Sequence, residues 1–511
     1  MSKSRQRIAR NRKRRIECRL RPKNWSSQDE PMLRASNIHY ELSERARGVG
    51  VGGIGVIHKF ALASGLVEAI DERVDVLKVH LPYHESDHVL NIAYNILSGG
   101  TCLEDIELLR NDEVYLDALG AQRIPDPTTA GDFCRRLDEE NINALMEAFN
   151  EVRPRMWSQQ PEEFFDEAKI DADGTLLETL GECKEGMHIS YKGTWGFHPL
   201  VVSLANTQEP LFLVNRGGNR PSYERASERL DQAIELCQRS GFKKVTLRGD
   251  TDFTQTKHLD RWDEQGVEFV FGMDARKKVT EIAETLPSRA WNRLERRPKY
   301  EVKTVPRQRP ENVKQAIVRE REYKNIRTVS EDVAEFEYSP VACQKTYRVV
   351  VLRKNLSVER GEQRLFDDIV YFFYLTNKRD IPAEEIVWES NERCNQENLI
   401  AQLKSGVHAL ETPLDNLLSN WAYMVMASLA WNLKAWFGLS LPEKGRWASK
   451  YKIEKRAVIE MEFKTFVNAF IRVPAQIIRQ GRKTIYRLLA WNPWQPVFLR
   501  GFDQFTTRMQ C

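Results

Sequence analysis

The chain has 511 residues, 41% of them hydrophobic and 29% charged, which is the balance of a globular protein with a substantial core. It holds no run near the ~18 apolar residues of a membrane span, no apolar segment behind a basic start as in a signal peptide, and no Cys-x-x-Cys pair among its eight cysteines. A bilayer protein, a disulfide-framed secreted domain and a cysteine zinc site are thereby disfavoured, and the reading is a protein of a reducing cytoplasm.

A net charge of +4 conceals a strong asymmetry. Residues 3–23 carry Lys3, Arg5, Arg7, Arg10, Arg12, Lys13, Arg14, Arg15, Arg19, Arg21 and Lys23 against Glu17 alone. So dense a charge repels itself, which predicts a disordered arm over 1–24 that orders on a polyanion, with Arg10, Arg12, Lys13, Arg14 and Arg15 as phosphate contacts. Residues 25–45 read as a linker or first strand. In Gly48-Val-Gly-Val-Gly-Gly-Ile-Gly55, Gly50, Gly52 and Gly55 match a dinucleotide-binding pattern, but the polar stretch Glu41–Arg47 stands where that motif needs an apolar strand. A flexible turn before a helix is the better reading.

Apolar stripes at Leu62, Leu66 and Ile70, then at Val89, Ile92, Ala93 and Ile96, predict helices, with Gly99-Gly100 ending the second. After Pro125-Asp-Pro127, Thr128 or Thr129 caps a helix from Phe133 to Phe149. The whole of 25–160 reads as a helical N-terminal domain.

From residue 168 the periodicity changes. Strands are predicted at 169–175, 195–205 and 210–215, a helix at 222–240, a strand at 245–248, a helix at 254–265 and a buried strand at 267–272. This β-β-β-α-β-α-β order matches an α/β, ribonuclease H-like core, an antiparallel meander followed by parallel strands. Its first part is 161–274. Residues 275–365, rich in Arg, Lys, Glu and Pro, read as an inserted domain with a strand at 347–352. The core resumes over 366–440 with an apolar strand at 369–376 and a helix bearing Glu397. A helical, basic region follows over 441–511.

Three acidic motifs fall at the ends of these elements. Asp171-Ala-Asp173-Gly-Thr lies on the first strand, where residues two apart share a face. Arg248-Gly-Asp250-Thr-Asp252-Phe closes the fourth strand at its carboxyl end, where open α/β sheets gather their sites. Arg393, Glu397 and Lys404 are spaced to share one face of a later helix. Taken singly, each motif has an ordinary structural reading. An aspartate at a strand edge is commonly a turn or cap residue, and Arg-x-x-x-Glu is a routine helical ion pair. His188 and His198 read as packed or hydrogen-bonding residues, and Trp421, Trp431 and Trp436 as core. Together, the acids fit hard divalent cations on phosphate: two ions ~4 Å apart serve both the attacking and the leaving oxygen of a phosphodiester. Arg393 and Lys404 then grip phosphates beside the cut. Oxygen ligands favour Mg²⁺ or Mn²⁺.

The same residues resemble the DDE transposases of bacterial insertion sequences, specifically the IS1380 group, related to the IS4 group. The likeness rests on Asp171-Ala-Asp173-Gly-Thr175, Gly196-Phe-His-Pro-Leu200, Arg248-Gly-Asp250-Thr-Asp252-Phe253 and Glu392-Arg-Cys-Asn-Gln-Glu397-Asn398, and extends over about 48–437. It implies Asp173, Asp250 and Glu397 as the catalytic, metal-binding triad. Asp171 is the alternative in the first motif; Asp173 is preferred because it directly precedes Gly-Thr, as the corresponding acid does in the related group. That group's tyrosine ahead of the arginine is Ser390 here, and Asp252 replaces a glycine. The resemblance also implies a strand-rich insertion between the second acid and the glutamate, with Trp291 as the candidate to stack on a flipped base.

The function implied is cut-and-paste transposition. A metal-activated water nicks the element's end and the freed 3′-OH attacks target DNA. Terminal inverted repeats are bound through the helical N-terminal domain and the basic arm, in a synaptic complex that is at least a homodimer. Two rivals stand beside it: a decayed or domesticated transposase that only binds DNA, and a ribonuclease H-like nuclease without strand transfer.

Overall fold

The structure, a computed structural model, describes residues 3–21, 32, 38–40, 47–80, 82–296, 312–360, 363–481 and 483–508. Most of the stretch expected as a linker or first strand, 25–45, lies outside them.

The N-terminal arm departs from expectation. Lys3–Leu20 is an α-helix. Arg, Lys and Gln are good helix formers, and the like-charge repulsion is offset by docking. Arg12 donates to the carbonyls of Leu488 and Ala490 at 2.9 and 3.3 Å, and Arg5 pairs with Asp503 at 3.2 Å. Arg12, expected on phosphate, is therefore an anchor of the helix, whereas Arg10, Lys13, Arg14 and Arg15 are exposed.

The glycine cluster also finds a structural explanation. Gly48–Val49 pairs antiparallel with Ala475–Gln480, and the amides of Gly52 and Gly53 donate to Val473 and Ile471 at 3.0 Å. A Cβ on Gly53 would lie 1.8 Å from the Phe470 carbonyl oxygen. These glycines permit two backbones to touch, a close-approach role that needs no cofactor.

Helices Ile54–Ala63, Leu66–Arg73, Glu85–Leu97, Pro127–Arg136 and Glu139–Trp157 follow. Gly65, with φ +74°, breaks the first expected stripe into two helices, so Leu66 and Ile70 are buried while Leu62 is exposed. The helix expected over 133–149 is two: Asp126 caps one by accepting from the Thr129 amide, Asp138 caps the other from the Asn141 amide, both at 2.8 Å. Asp126, followed by Pro127 at the first helical position, is the cap in place of Thr128 or Thr129.

One mixed sheet dominates the rest. Its strands are β1 (Ala168–Gly174), β2 (Leu200–Leu204), β3 (Glu209–Val214), β4 (Val245–Gly249), β5 (Glu268–Met273), β6 (Asn292–Arg293), β7 (Lys324–Tyr338), β8 (Tyr347–Arg360) and β9 (Gln363–Thr376), in spatial order β6-β7-β8-β9-β5-β4-β1-β2-β3. From β3 to β1 the pairs are antiparallel; β1–β4 and β4–β5 are parallel. Helix Ala226–Arg239 makes the crossover between β3 and β4. The strand expected over 195–205 is interrupted at His198-Pro199, because proline lacks the amide to continue a ladder. Trp195–Phe197 instead joins a small sheet with Leu177–Glu178 and His188–Ile189.

The segment expected as an inserted domain continues the main sheet. β9 pairs antiparallel with β5, and β8, β7 and β6 add in turn. β7 is absent from the expected elements because its sequence, KNIRTVSEDVAEFEY, hides its alternation under charge.

Helix Leu417–Leu439, buried almost all round, is the axis of the α-helical part. It packs against Glu85–Leu97, Pro127–Arg136, Glu139–Trp157 and β3, so the early helices and the late one share a core with the sheet. Trp421, Trp431 and Trp436 lie in that core, their indole N–H groups donating to Leu213 O, Gln208 O and Glu209 Oε1. Glu209, fully buried, also accepts from Arg153 at 3.1 Å and Trp157 at 3.0 Å. A buried carboxylate is tolerated only when so partnered, and this one ties the β3 edge to two helices.

Candidate active site

β1 and β4 run parallel with Asp171 in register with Arg248. One strand position separates the two aspartates of the first motif into different roles. Asp171 is buried and both its oxygens are taken by Arg248, from Nε at 2.7 Å and Nη2 at 2.8 Å. Arg248 continues to the Glu389 carbonyl at 3.2 Å and to Glu392 at 3.5 Å. Burial works against the guanidinium charge, but Asp171, Glu389 and Glu392 outweigh it and hold its pKa above the ordinary value. Both oxygens of Asp171 are thus engaged by the guanidinium fork, which makes Asp173 the more open of the two aspartates.

Asp173, two residues on, lies where β1 opens and is partly accessible. Asp250 follows β4 and caps the turn Thr251–Phe253, accepting the Asp252 amide at 3.0 Å. Asp252, in the place of a glycine, supplies that backbone donor and adds its carboxylate charge beside Asp250. Glu397 comes from the short helix Cys394–Ala401, exposed on its surface. What fixes that helix is its neighbour Gln396, which the sequence reading passed over. Its buried amide donates to Val201 O at 3.0 Å on β2 and accepts from Ser203 Oγ. Behind it, Lys378 joins Glu389 at 2.9 Å, Glu167 at 3.2 Å and Glu268 at 3.1 Å, fastening helix Ala383–Glu392 to the sheet. The signal for this frame was the polar residues Glu389, Glu392 and Gln396 at helical spacing beside Glu397.

The electrostatics are those of gathered like charges. Burial raises the Asp173 pKa to about 6; Arg393 opposes the shift, and Asp250 and Glu397 add to it. Asp250 is raised for the same reasons, burial first, with Arg393 again lowering and Asp252 and Glu397 raising. Arg393 Nη1 stands 3.4 Å from Asp173 Oδ2. Among the described residues, only His80, His84 and Glu85 bring three ligand atoms within 4.8 Å of one another, so the three carboxylates are neighbours without converging on one point.

The single helix expected to carry Arg393, Glu397 and Lys404 is interrupted. Arg393 sits at the junction of two helices, and Gln402–Gly406 widens into a π-turn, which shifts the phase of everything after it. Lys404 nevertheless returns to the first motif, donating to Leu176 O at 3.0 Å. Burial, then Lys192, lowers its pKa. His198 is packed and bonded, its Nδ1 2.8 Å from Arg220 O, and His188 is exposed on its short strand. Trp291 is half-buried with the Arg353 guanidinium 4.0 Å over its ring, so one face is already covered.

Residues 49–510 match the family described as transposase DDE domain group 1. The chain belongs to this DDE transposase family. The matched span holds all three acidic motifs of the transposase. No curated protein matches it. Among solved structures, the transposase is similar to a piggyBac transposase synaptic complex with hairpin DNA seen by cryo-electron microscopy, at 10% identity and a TM-score of 0.38, over 83% of this chain and 82% of that one. Among the described residues of the transposase, no helix is long and apolar enough to cross a membrane.

The donor set of this transposase fits divalent cations. It is all oxygen and carries like charges that oppose one another, with the Arg393 guanidinium 3.4 Å from Asp173. Asp173, Asp250 and Glu397 are the residues that would hold them.

Proposed function

We infer that this DDE transposase, of the IS1380-like group, cuts DNA at the terminal inverted repeats of an insertion sequence and joins the freed ends to target DNA. The observation that carries the reading is the approach of Asp173, Asp250 and Glu397 from two adjacent parallel strands and a docked helix, close enough for Asp250 and Glu397 to raise the Asp173 pKa and for Glu397 to raise that of Asp250. The sheet order β3-β2-β1-β4-β5, antiparallel then parallel, supports a ribonuclease H-like core carrying them.

Asp173, Asp250 and Glu397 would hold Mg²⁺ or Mn²⁺, two ions in the reading favoured here. Bound there, the ions supply activation of the attacking oxygen and stabilisation of the leaving one. The chain's own groups do the rest. Arg393 favours the ionised form of Asp173 against its burial and, released from it, grips a scissile-strand phosphate; Lys404 supports the loop after β1 and meets the flanking phosphate. Asp171 and Arg248 hold β1 against β4. Water attacks phosphorus, the bond to the 3′ oxygen breaks, and that oxygen takes a proton. The resulting 3′-OH attacks a target phosphodiester, with one bond made for one broken. Exposed Arg10, Lys13, Arg14 and Arg15 add sequence-independent phosphate contacts. Two ends must be joined, which favours a homodimer or larger assembly.

The test combines purified full-length protein, a duplex in which an element end adjoins flanking DNA, and a supercoiled target plasmid. The expected result is Mg²⁺-dependent nicking at the end and labelled end joined to plasmid. Free 3′-OH ends that are never joined would mark a nuclease without strand transfer. Binding with no nick in Mg²⁺ or Mn²⁺ would mark a DNA-binding protein descended from a transposase.

A further inference from the structure

Among the described residues, one cluster besides the acidic site has metal chemistry. His80, His84 and Glu85 each offer a ligand atom, all within 4.8 Å of one another. They lie where the segment after helix Leu66–Arg73 meets the start of helix Glu85–Leu97.

The cluster is built from the inside. Glu85 is 2% exposed, an unusual place for a carboxylate at a helix start. Its Oε1 accepts the amides of Val76 and Leu77 at 3.1 and 2.8 Å, which fixes the group and turns Oε2 outward. Oε2 is 3.0 Å from His80 Nε2. The His84 backbone is pinned by its amide to Asp87 Oδ2 at 2.9 Å. Its ring lies on the His80 ring, centroids 4.2 Å apart and planes 15° from parallel. Both histidines are exposed, so an ion can reach them from solvent.

The geometry points to a site for a borderline transition-metal ion such as Zn²⁺, held by His80, His84 and Glu85, that staples the connection before helix Glu85–Leu97 to the helix itself. Two imidazoles and one carboxylate are a familiar zinc set, with water at the fourth position. Imidazole nitrogen selects such ions over Mg²⁺, which takes oxygen ligands. The site is therefore chemically distinct from Asp173, Asp250 and Glu397. Parallel rings direct their lone pairs side by side, so binding requires one imidazole to turn; the exposure of both leaves room for that. The helix so stapled packs on the central helix Leu417–Leu439, and the ion would stiffen the helical region without entering the strand-cutting chemistry.

The experiment uses the full chain, stripped by chelator and kept in excess Mg²⁺, titrated calorimetrically with Zn²⁺. Wild type and Asp173→Asn/Asp250→Asn are expected to bind one Zn²⁺ with equal affinity. His80→Ala/His84→Ala is expected to lose at least about 10-fold, because even partners behind a ligand are worth ~10–100-fold. Its two substitutions are on the surface, and circular dichroism checks the fold. Wild type with one equivalent of Cu²⁺ gives a second reading that needs no variant: imidazole nitrogen coupling in the electron paramagnetic resonance spectrum. Equal Zn²⁺ uptake by wild type and the histidine variant, or a Cu²⁺ spectrum of oxygen ligands alone, overturns the proposal.

Discussion

Asp173→Asn is expected to abolish DNA nicking and, at the same time, to raise the stability of the metal-free protein at neutral pH. The loss of activity follows from removing a carboxylate that would hold the ions; removing one charge-stabilising group costs ~10²–10³-fold in other active sites, and this is a floor here. The gain in stability follows from the cluster's charge. Burial, reinforced by Asp250 and Glu397 and only partly relieved by Arg393, moves the Asp173 pKa from 3.8 to about 6. A carboxyl whose folded pKa is raised keeps its proton in the native state over a range where the unfolded chain has already lost it. Native stability therefore falls as pH rises from about 4 to 6 and stays lower above that range. A shift of this size corresponds to about 3 kcal/mol at most. Asparagine has no such charge, so the variant lacks the fall, less whatever is lost when Arg393 gives up its 3.4 Å partner. Calorimetric melting in EDTA at pH 5 and pH 8 measures the difference. The idea is lost if Asp173→Asn nicks like wild type, or if the two proteins show the same change in melting temperature between the two pH values. Asp250→Asn should match it in activity and shift stability in the same direction, because asparagine can still accept the Asp252 amide and cap the turn after β4.

Much of this site is legible in the sequence because its parts lie at element ends. Asp250 follows a short apolar strand, VTLRG, that admits no other reading, and Asp173 stands before Gly-Thr at the end of another. What the spacing does not carry is side-chain partnership across the sheet. Asp171 and Asp173 are equivalent by strand periodicity; they differ only because Arg248 stands in register with Asp171 on the parallel neighbour. The single helix expected to carry Arg393, Glu397 and Lys404 is interrupted for a related reason: a π-turn shifts the phase, and nothing in the composition of Gln402–Gly406 announces it. The long strands β7, β8 and β9 are partly hidden because one of their faces is charged. The basic arm shows the converse, since its charge pattern describes repulsion but not the two carbonyls that hold Arg12.

Asp171→Ala should damage the fold rather than the chemistry. Asp171 and Arg248 have side chains 1% and 2% exposed and form a two-pronged ion pair across β1 and β4. Deleting one partner leaves a buried guanidinium whose remaining contacts are the Glu389 carbonyl at 3.2 Å and the solvent-facing Glu392 at 3.5 Å. Breaking a buried pair in this way costs about 3–5 kcal/mol, whereas replacing both partners by apolar residues of similar volume is often near neutral. The expected order of stability in urea is wild type close to Asp171→Leu/Arg248→Met, with Asp171→Ala well below both. The double variant separates the two aspartates of the first motif. It keeps Asp173 on an intact β1, so its nicking per folded molecule should remain within a few-fold of wild type, while Asp173→Asn, fully folded, should be inactive. If the double variant is stable yet as inactive as Asp173→Asn, Asp171 acts on the reacting groups and the assignment of β1 has to be reversed.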